Sequence, residues 1–173
     1  AAGAIGVAGL LWRVTGFTLG HSVTLSLGFF GFVPSGDWFV PAIELTIAAT
    51  IVYVAAAVFR FEPETAKGHS AGDTRMFLVT ALIGLIHGLG FSFVLQNILR
   101  VTSPDIWKSL VAFNVGIELG QLLIVGVTIL LLALAGRISS GLEASGRKLL
   151  AGISGAIACY WIIERSILLA QAI

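Results

Sequence analysis

Long apolar runs alternate with short polar segments along the whole chain. Five of the runs reach the roughly 20 residues that an α-helix needs to cross about 30 Å of hydrocarbon. The pattern predicts an all-α, polytopic transmembrane helical bundle that forms a single domain over residues 1–173. The predicted spans are 13–32, 38–60, 74–100, 104–136 and 148–171, and residues 1–12 are either the end of a preceding helix or the first turns of a long one.

The polar segments at 61–73 and 137–147 predict how the chain lies in the membrane. Seven of the ten Lys and Arg residues fall on the side of these two segments, and three fall on the other side. Cytoplasmic loops of membrane proteins are enriched in Lys and Arg. We therefore expect 61–73 and 137–147 to be cytoplasmic loops and the C-terminus to lie outside.

The composition agrees with a membrane protein and excludes several other classes. Hydrophobic residues make up 57% of the chain, charged residues make up 11%, and the mean hydropathy is +1.01, which leaves no room for a sizeable soluble domain. A net charge of +1 without a basic stripe gives no indication of a nucleic-acid partner. The single cysteine, Cys159, excludes an internal disulfide and a cysteine-based metal cluster.

Three predicted spans contain two glycines four residues apart beside their most polar residue. The sets are Gly16 and Gly20 with His21, Gly84 and Gly88 with His87, and Gly116 and Gly120 with Glu118. Glycines at this spacing lie on one face of a helix and let two backbones approach closely. The pattern predicts a tight polar core built from spans one, three and four.

Six polar side chains inside the predicted spans are the candidate site residues. They are His21 in span one, Glu44 in span two, His87 in span three, and Asn114, Glu118 and Gln121 in span four. An ionised side chain at the middle of a bilayer costs about 2.5–3.5 kcal/mol on insertion scales. We therefore expect these groups to face one another or a wet cavity, with His21 and Glu118 as the partners of His87.

The candidate residues leave three interpretations open. Two imidazoles, a carboxylate and two carboxamides form a set of nitrogen and oxygen ligands that suits Ni²⁺, Zn²⁺ or Co²⁺. His and Glu side chains also relay protons in transporters. Alternatively, the polar groups only join helices by hydrogen bonds, and an ion pair between Glu44 and Arg165 would do the same for spans two and five.

One short motif raises the alternative of an enzyme. Residues 152–155 (GISG) resemble the Gly-x-Ser-Gly sequence of rhomboid intramembrane proteases, where a serine pairs with a histidine. In those proteases the histidine follows the serine in a later helix, whereas His21 and His87 both precede Ser154. We therefore interpret Ser154 as a small packing residue and predict that the chain is not an enzyme.

Four separated strings of sequence resemble the HupE/UreJ membrane family, most closely its second branch. They are residues 17–25 (FTLGHSVTL), 85–91 (LIHGLGF), 113–121 (FNVGIELGQ) and 160–165 (YWIIER). The resemblance extends in order over nearly the whole chain and includes Glu44, in a segment similar to the family's second motif helix. Family members usually have an upstream helix with an Asp-His motif, and this sequence contains no Asp-His pair. A sixth helix ahead of Ala1 is therefore an alternative to five.

The resemblance implies a hydrogenase- or urease-accessory type permease that passes Ni²⁺ across the bacterial cytoplasmic membrane. Carried over residue by residue, it makes His21, His87, Asn114, Glu118 and Gln121 the metal path. The metal ion is then cargo and no cofactor is bound permanently, while the partners are the lipid bilayer and either other membrane proteins or further copies of the chain. The alternatives are a non-transporting subunit or assembly factor of a larger membrane complex, and a proton-relay subunit.

Overall fold

A computed structural model describes residues 7–34, 36–60, 71–98 and 106–173. This part of the chain contains five helices and no strand, which confirms the predicted all-α fold. The helices are α1 (Val7–Phe29), α2 (Phe39–Arg60), α3 (Ala71–Ile98), α4 (Ile106–Ile138) and α5 (Ser140–Ala172). Four segments are long and apolar enough to cross a membrane, namely Phe39–Arg60, Thr74–Leu95, Trp107–Ile138 and Ser140–Ala172. The chain is therefore a multi-pass membrane protein.

The helix ends differ from the predicted spans by a few residues. Residues 7–12 are continuous with the rest of α1 and are not the end of another helix, and residues 1–6 lie outside the described residues. α3 begins at Ala71, inside the segment predicted as the loop 61–73. The rest of that predicted loop, 61–70, lies outside the described residues. The predicted end of span three and the predicted start of span four fall within 99–105, which also lies outside them.

α1 packs lengthwise against α3, and the two helices run parallel. Gly16 of α1 meets Phe77 of α3, and Gly28 meets Ser92 farther along. α1 is not one of the four most apolar segments, because its 23 residues include His21 and a series of Ser and Thr residues. It nevertheless accompanies a membrane-spanning helix over most of its length.

Glycines set the close approach of α1 and α3, as the sequence predicts. A Cβ atom at Gly20 would clash with a carbonyl oxygen of α3, and one at Gly84 would clash with the carbonyl oxygen of Phe17. A Cβ atom at Gly88 would clash in the same way with the carbonyl oxygen of His21. Because every other residue type has a Cβ, only glycine allows the two backbones to meet at these positions.

The same prediction is wrong for α4. A Cβ atom at Gly116 or Gly120 would have no neighbour within 4 Å in the described part of the chain. At about 100° per residue, both glycines point roughly 100° or more away from Asn114 and Gln121, the side chains that face α1. α4 consequently packs mainly on α5 and touches α1 at few points.

α4 and α5 form a helical hairpin with almost no connection, so the predicted linker at 137–147 is wrong. α4 ends at Ile138 and α5 begins at Ser140. Ser139 between them accepts a hydrogen bond from a backbone amide of α5 at 3.2 Å, which caps the second helix. The residues that follow are polar but include good helix formers such as Glu143. The polar residues after Ser139 thus lie in the first turns of α5 and not in a loop.

α2 and α5 form the second close pair, and they run antiparallel. The Arg165 guanidinium lies 3.2 Å from the Glu44 carboxylate at one end, and Gly155 packs on Ala55 farther along. The ion pair expected between spans two and five is thus confirmed. α2 also contacts α3, so it connects the α1–α3 pair to α5.

Apolar side chains cover the outside of the bundle. On α4, for example, Leu123 and Ile124 are 67% and 69% exposed. A continuous apolar surface of this kind marks contact with lipid. Among the described residues, a buried apolar cluster lies where α1, α3 and α4 meet and consists of Leu25, Phe29, Leu95 and Leu110.

Candidate functional site

Two histidines from the closely packed helices α1 and α3 share one aromatic neighbour. The Phe17 ring stacks on the His21 ring at 5.8 Å between centroids and meets the His87 ring edge-on at 5.5 Å. Phe17 and His21 lie on one face of α1 because they are four residues apart. The close contact at Gly84 and Gly88 brings His87 of the neighbouring helix to the same ring. Two of the six candidate residues are therefore neighbours.

His21 is the most deeply buried of the six candidates. It is 2% exposed, and neither Nδ1 nor Nε2 has a hydrogen-bond partner among the described residues. Its neighbours are aromatic, with Phe17 stacked on the ring and Phe91 edge-on at 5.5 Å. Leaving a buried polar group without a partner costs about 1–3 kcal/mol, so proteins retain few such groups. A ligand that uses the imidazole nitrogens would account for this one.

His87 differs from His21 because its ring has a partner on a third helix. His87 Nε2 lies 3.1 Å from the hydroxyl oxygen of Thr50 on α2. The Thr50 hydroxyl donates to the Ile47 carbonyl at 2.7 Å, so its oxygen is free to accept a hydrogen bond from Nε2. This arrangement favours the tautomer with the proton on Nε2 and a free lone pair on Nδ1.

Asn114 joins α4 to α1 beside His21. The Ser22 hydroxyl donates to Asn114 Oδ1 at 2.9 Å, and Asn114 Nδ2 donates to the Leu110 carbonyl at 3.0 Å. The residue expected on the metal path thus forms an interhelical hydrogen bond. Its amide oxygen still has a second lone pair.

Gln121 lies at a cavity between α1, α3 and α4. The cavity has a volume of about 300 Å³, and Arg13, Phe17 and Thr80 also line it. Gln121 Oε1 and Arg13 Nε are both buried without a hydrogen-bond partner in the part of the chain that is described. Phe17 contacts both histidines as well, so this cavity lies next to the imidazole pair.

The structure does not bring Glu118 to the two histidines. Glu118 is half-buried on α4 and forms no hydrogen bond or ion pair with another described residue. α3 and α4 meet only through side chains, for example at Phe91 and Phe113, whose ring centroids are 6.5 Å apart. Within 7–34, 36–60, 71–98 and 106–173, no three His, Cys, Asp or Glu side chains lie close enough to hold one metal ion.

Glu44 lies at a second cavity, between α2, α3 and α5. This cavity has a volume of about 250 Å³, and its wall includes the ion-paired Glu44 and Arg165 together with Trp161 and Phe91. Because Phe91 also contacts His21, one aromatic ring separates the Glu44 cavity from the buried imidazole.

A third cavity, of about 490 Å³, has His87 in its wall. Its polar lining consists of Thr50, His87, Thr128, Arg147 and Ser154. Sequence reasoning missed Thr50, an isolated hydroxyl in an apolar span, and Arg147, which it assigned to a loop. Ser154, expected to be a small packing residue, is exposed at this cavity, and the neighbouring Gly155 makes the contact with α2.

A comparison with protein families matches almost the whole chain. The family model described as HupE / UreJ protein matches residues 4–165, a range that includes all six candidate residues. No curated protein and no solved structure matches the chain.

Proposed function

The chain belongs to the HupE/UreJ family, and we propose that it is an integral membrane permease for a divalent transition metal. Ni²⁺ is the expected ion, with Zn²⁺ or Co²⁺ as the alternatives. The proposal is supported chiefly by His21, an imidazole that is 2% exposed and unpaired at both nitrogens. Imidazole nitrogen is a good ligand for all three ions, and His87 offers a second imidazole at the same Phe17 ring.

The candidate ligands lie at several separate points, which suits a transport path better than a site that holds a resident metal ion. A resident structural metal is usually held by about four ligands at one point, and the described residues contain no such cluster. An ion that crosses a membrane must bind strongly enough to enter and weakly enough to leave, at successive sites. Glu44, His87 and Gln121 each line a different one of three cavities, and His21 is buried between Phe17 and Phe91, which line two of them, as this requirement predicts.

In this proposal the permease lies in the bacterial cytoplasmic membrane, with 61–73 and 137–147 on the cytoplasmic side and the C-terminus outside. The α4–α5 hairpin supports this orientation. Arg137 lies in the last turn of α4, and Arg147 and Lys148 lie early in α5, so three basic residues collect at one end of the hairpin. Basic residues of this kind favour the cytoplasmic side.

Metal uptake by cells tests the proposal. Intracellular nickel is measured by mass spectrometry in cells that express the wild type, His21→Phe, His87→Phe or Glu118→Gln. Thr46→Val is the control, because Thr46 is exposed and bonds only to its own helix. We expect saturable uptake that both histidine variants abolish and the control retains. Unchanged uptake in both histidine variants would exclude a metal path through the imidazoles.

A second function, that of a non-transporting membrane subunit, is favoured by two of the contacts described above. Glu44 pairs with Arg165, and Asn114 bonds to Ser22, so two candidate ligands join helices. A subunit of this kind would purify within a larger complex and would bind no metal. The size of the particle in detergent and an element analysis of it separate the two functions.

A further inference from the structure

The Glu44 cavity and the His87 cavity both touch α2 and α3, and their contacts on each helix lie one helical turn apart. The cavity of about 250 Å³ has Ile47 of α2 and Gly90 of α3 in its wall. The cavity of about 490 Å³ has Ile51 of α2 and His87 of α3 in its wall. Three to four residues correspond to about 5 Å along a helix. A single turn of each helix therefore separates the two cavities.

The hydrogen bond between Thr50 and His87 lies at the helical turn that separates the two cavities. The two side chains are 3.1 Å apart across the gap between α2 and α3, and both line the larger cavity. The Thr50 hydroxyl also donates to the carbonyl of Ile47, a residue in the wall of the smaller cavity. One hydroxyl group thus contacts residues of both cavities.

The charges at both cavities are compatible with a cation. Arg165 at the smaller cavity lies 3.2 Å from Glu44, and Arg147 at the larger one lies 3.9 Å from Glu143. Each arginine therefore has a carboxylate partner that offsets its repulsion of an incoming cation. Oxygen and nitrogen ligands continue from one cavity to the other in the order Glu44, Thr50, His87 and Ser154.

We propose that the transported ion crosses between α2, α3 and α5 through these two cavities, and that Thr50 is the positioning residue where they are closest. This inference rests on the proposed function and names the part of its route that passes His87; His21 lies directly behind Phe91, in the wall of the smaller cavity. Thr50 accepts the hydrogen bond from Nε2 and so leaves the Nδ1 lone pair of His87 for the ion, as the outer partner of a metal-binding histidine does. Its side chain also separates the two cavities from each other.

Thiol labelling from the two sides of a membrane tests the route. Cys159, the only cysteine, is first replaced by Ser, and a single cysteine then replaces Ile47 or Ile51. The full chain is reconstituted in vesicles, and a membrane-impermeant maleimide is supplied on one side or the other. We expect Ile47→Cys to react from one side only and Ile51→Cys to react only from the opposite side, although the two positions are one helical turn apart.

Substitution of Thr50 tests its positioning role in the same assay. With Thr50→Ala, both introduced cysteines should react from both sides, because the smaller side chain no longer separates the cavities. Thr50→Ser keeps the hydroxyl and should restore one-sided labelling. Thr46→Ala removes an exposed hydroxyl one turn away that bonds only to its own helix, so it is the matched control and should leave labelling one-sided.

Two results would overturn the route. If neither cysteine reacts from either side, lipid fills the cavities; if both react from the same side while Thr50 is intact, the cavities are not separated there. The labelling needs no metal, so its failure is distinct from failure of the permease. If cells take up nickel but neither cysteine is labelled, only the route is overturned. If labelling is one-sided but there is no nickel uptake, the permease is overturned, and the assignment of the ion to the route is overturned with it.

Discussion

Two imidazoles with the same chemistry have different partners in this protein. His87 bonds to the Thr50 hydroxyl at 3.1 Å, whereas His21 has no hydrogen-bond partner among the residues described. Both histidines could be found from the sequence, because a titratable group inside an apolar run is unusual. Thr50 could not, because a hydroxyl in a membrane helix commonly bonds to its own backbone, as Thr46 does with Ala42.

Replacing His21 by Phe should stabilise the protein while it removes metal transport. Phe keeps a ring that packs between Phe17 and Phe91 and removes two unpaired polar atoms, a gain of about 1–2 kcal/mol. We expect a higher Tm in detergent, measured by fluorimetry, together with loss of nickel uptake. A lower Tm than the wild type would show that the nitrogens have partners that the structure does not contain.

The pairing of helices depends on which face of each helix bears its small residues. Glycine spacing correctly predicted the contact of α1 with α3 and wrongly predicted a similar contact for α4. The spacing alone does not tell whether a glycine pair faces a neighbour or lipid, since both environments are apolar. On α4 the side chains of Asn114 and Gln121 face α1, and the glycines point away from it, with no described neighbour within 4 Å of an added Cβ atom.

Alanine substitutions at the two kinds of glycine should have opposite outcomes. Gly84→Ala or Gly88→Ala places a methyl group against a backbone carbonyl of α1, and we expect a loss of about 1–3 kcal/mol, as for overpacked cores. Gly116→Ala and Gly120→Ala are the matched controls and should leave the Tm unchanged or slightly higher, since alanine favours a helix. Thermal unfolding in detergent measures both. Equal losses at all four positions would contradict the position of α4 at the edge of the bundle.

The ion pair between α2 and α5 should be measurable by a double-mutant cycle. Glu44 and Arg165 are partly exposed, so we expect a coupling free energy of about 0.5–1 kcal/mol between Glu44→Gln and Arg165→Gln. Chemical denaturation of the single and double variants provides the four values. Strictly additive effects would show that the two side chains do not interact in the membrane.

The number of helices in the molecule could be predicted from the sequence more easily than the way in which they pack. Apolar runs predicted five helices because a membrane requires a minimum helix length. The expected contact of Glu118 with His87 did not form, because α4 reaches α3 only through side chains. The cavities at Glu44 and at Arg147 depend on packing between distant parts of the chain, and no local pattern of residues indicates them.

Nickel flux into liposomes that contain only the purified chain tests the permease most directly, because no other subunit is present to transport the ion. We predict saturable accumulation of Ni²⁺ by the wild type and by Thr46→Val. Accumulation by His87→Phe should fall to the rate of protein-free liposomes while its Tm stays near that of the wild type. Wild-type accumulation no faster than that of protein-free liposomes, from protein that unfolds cooperatively, would contradict the permease.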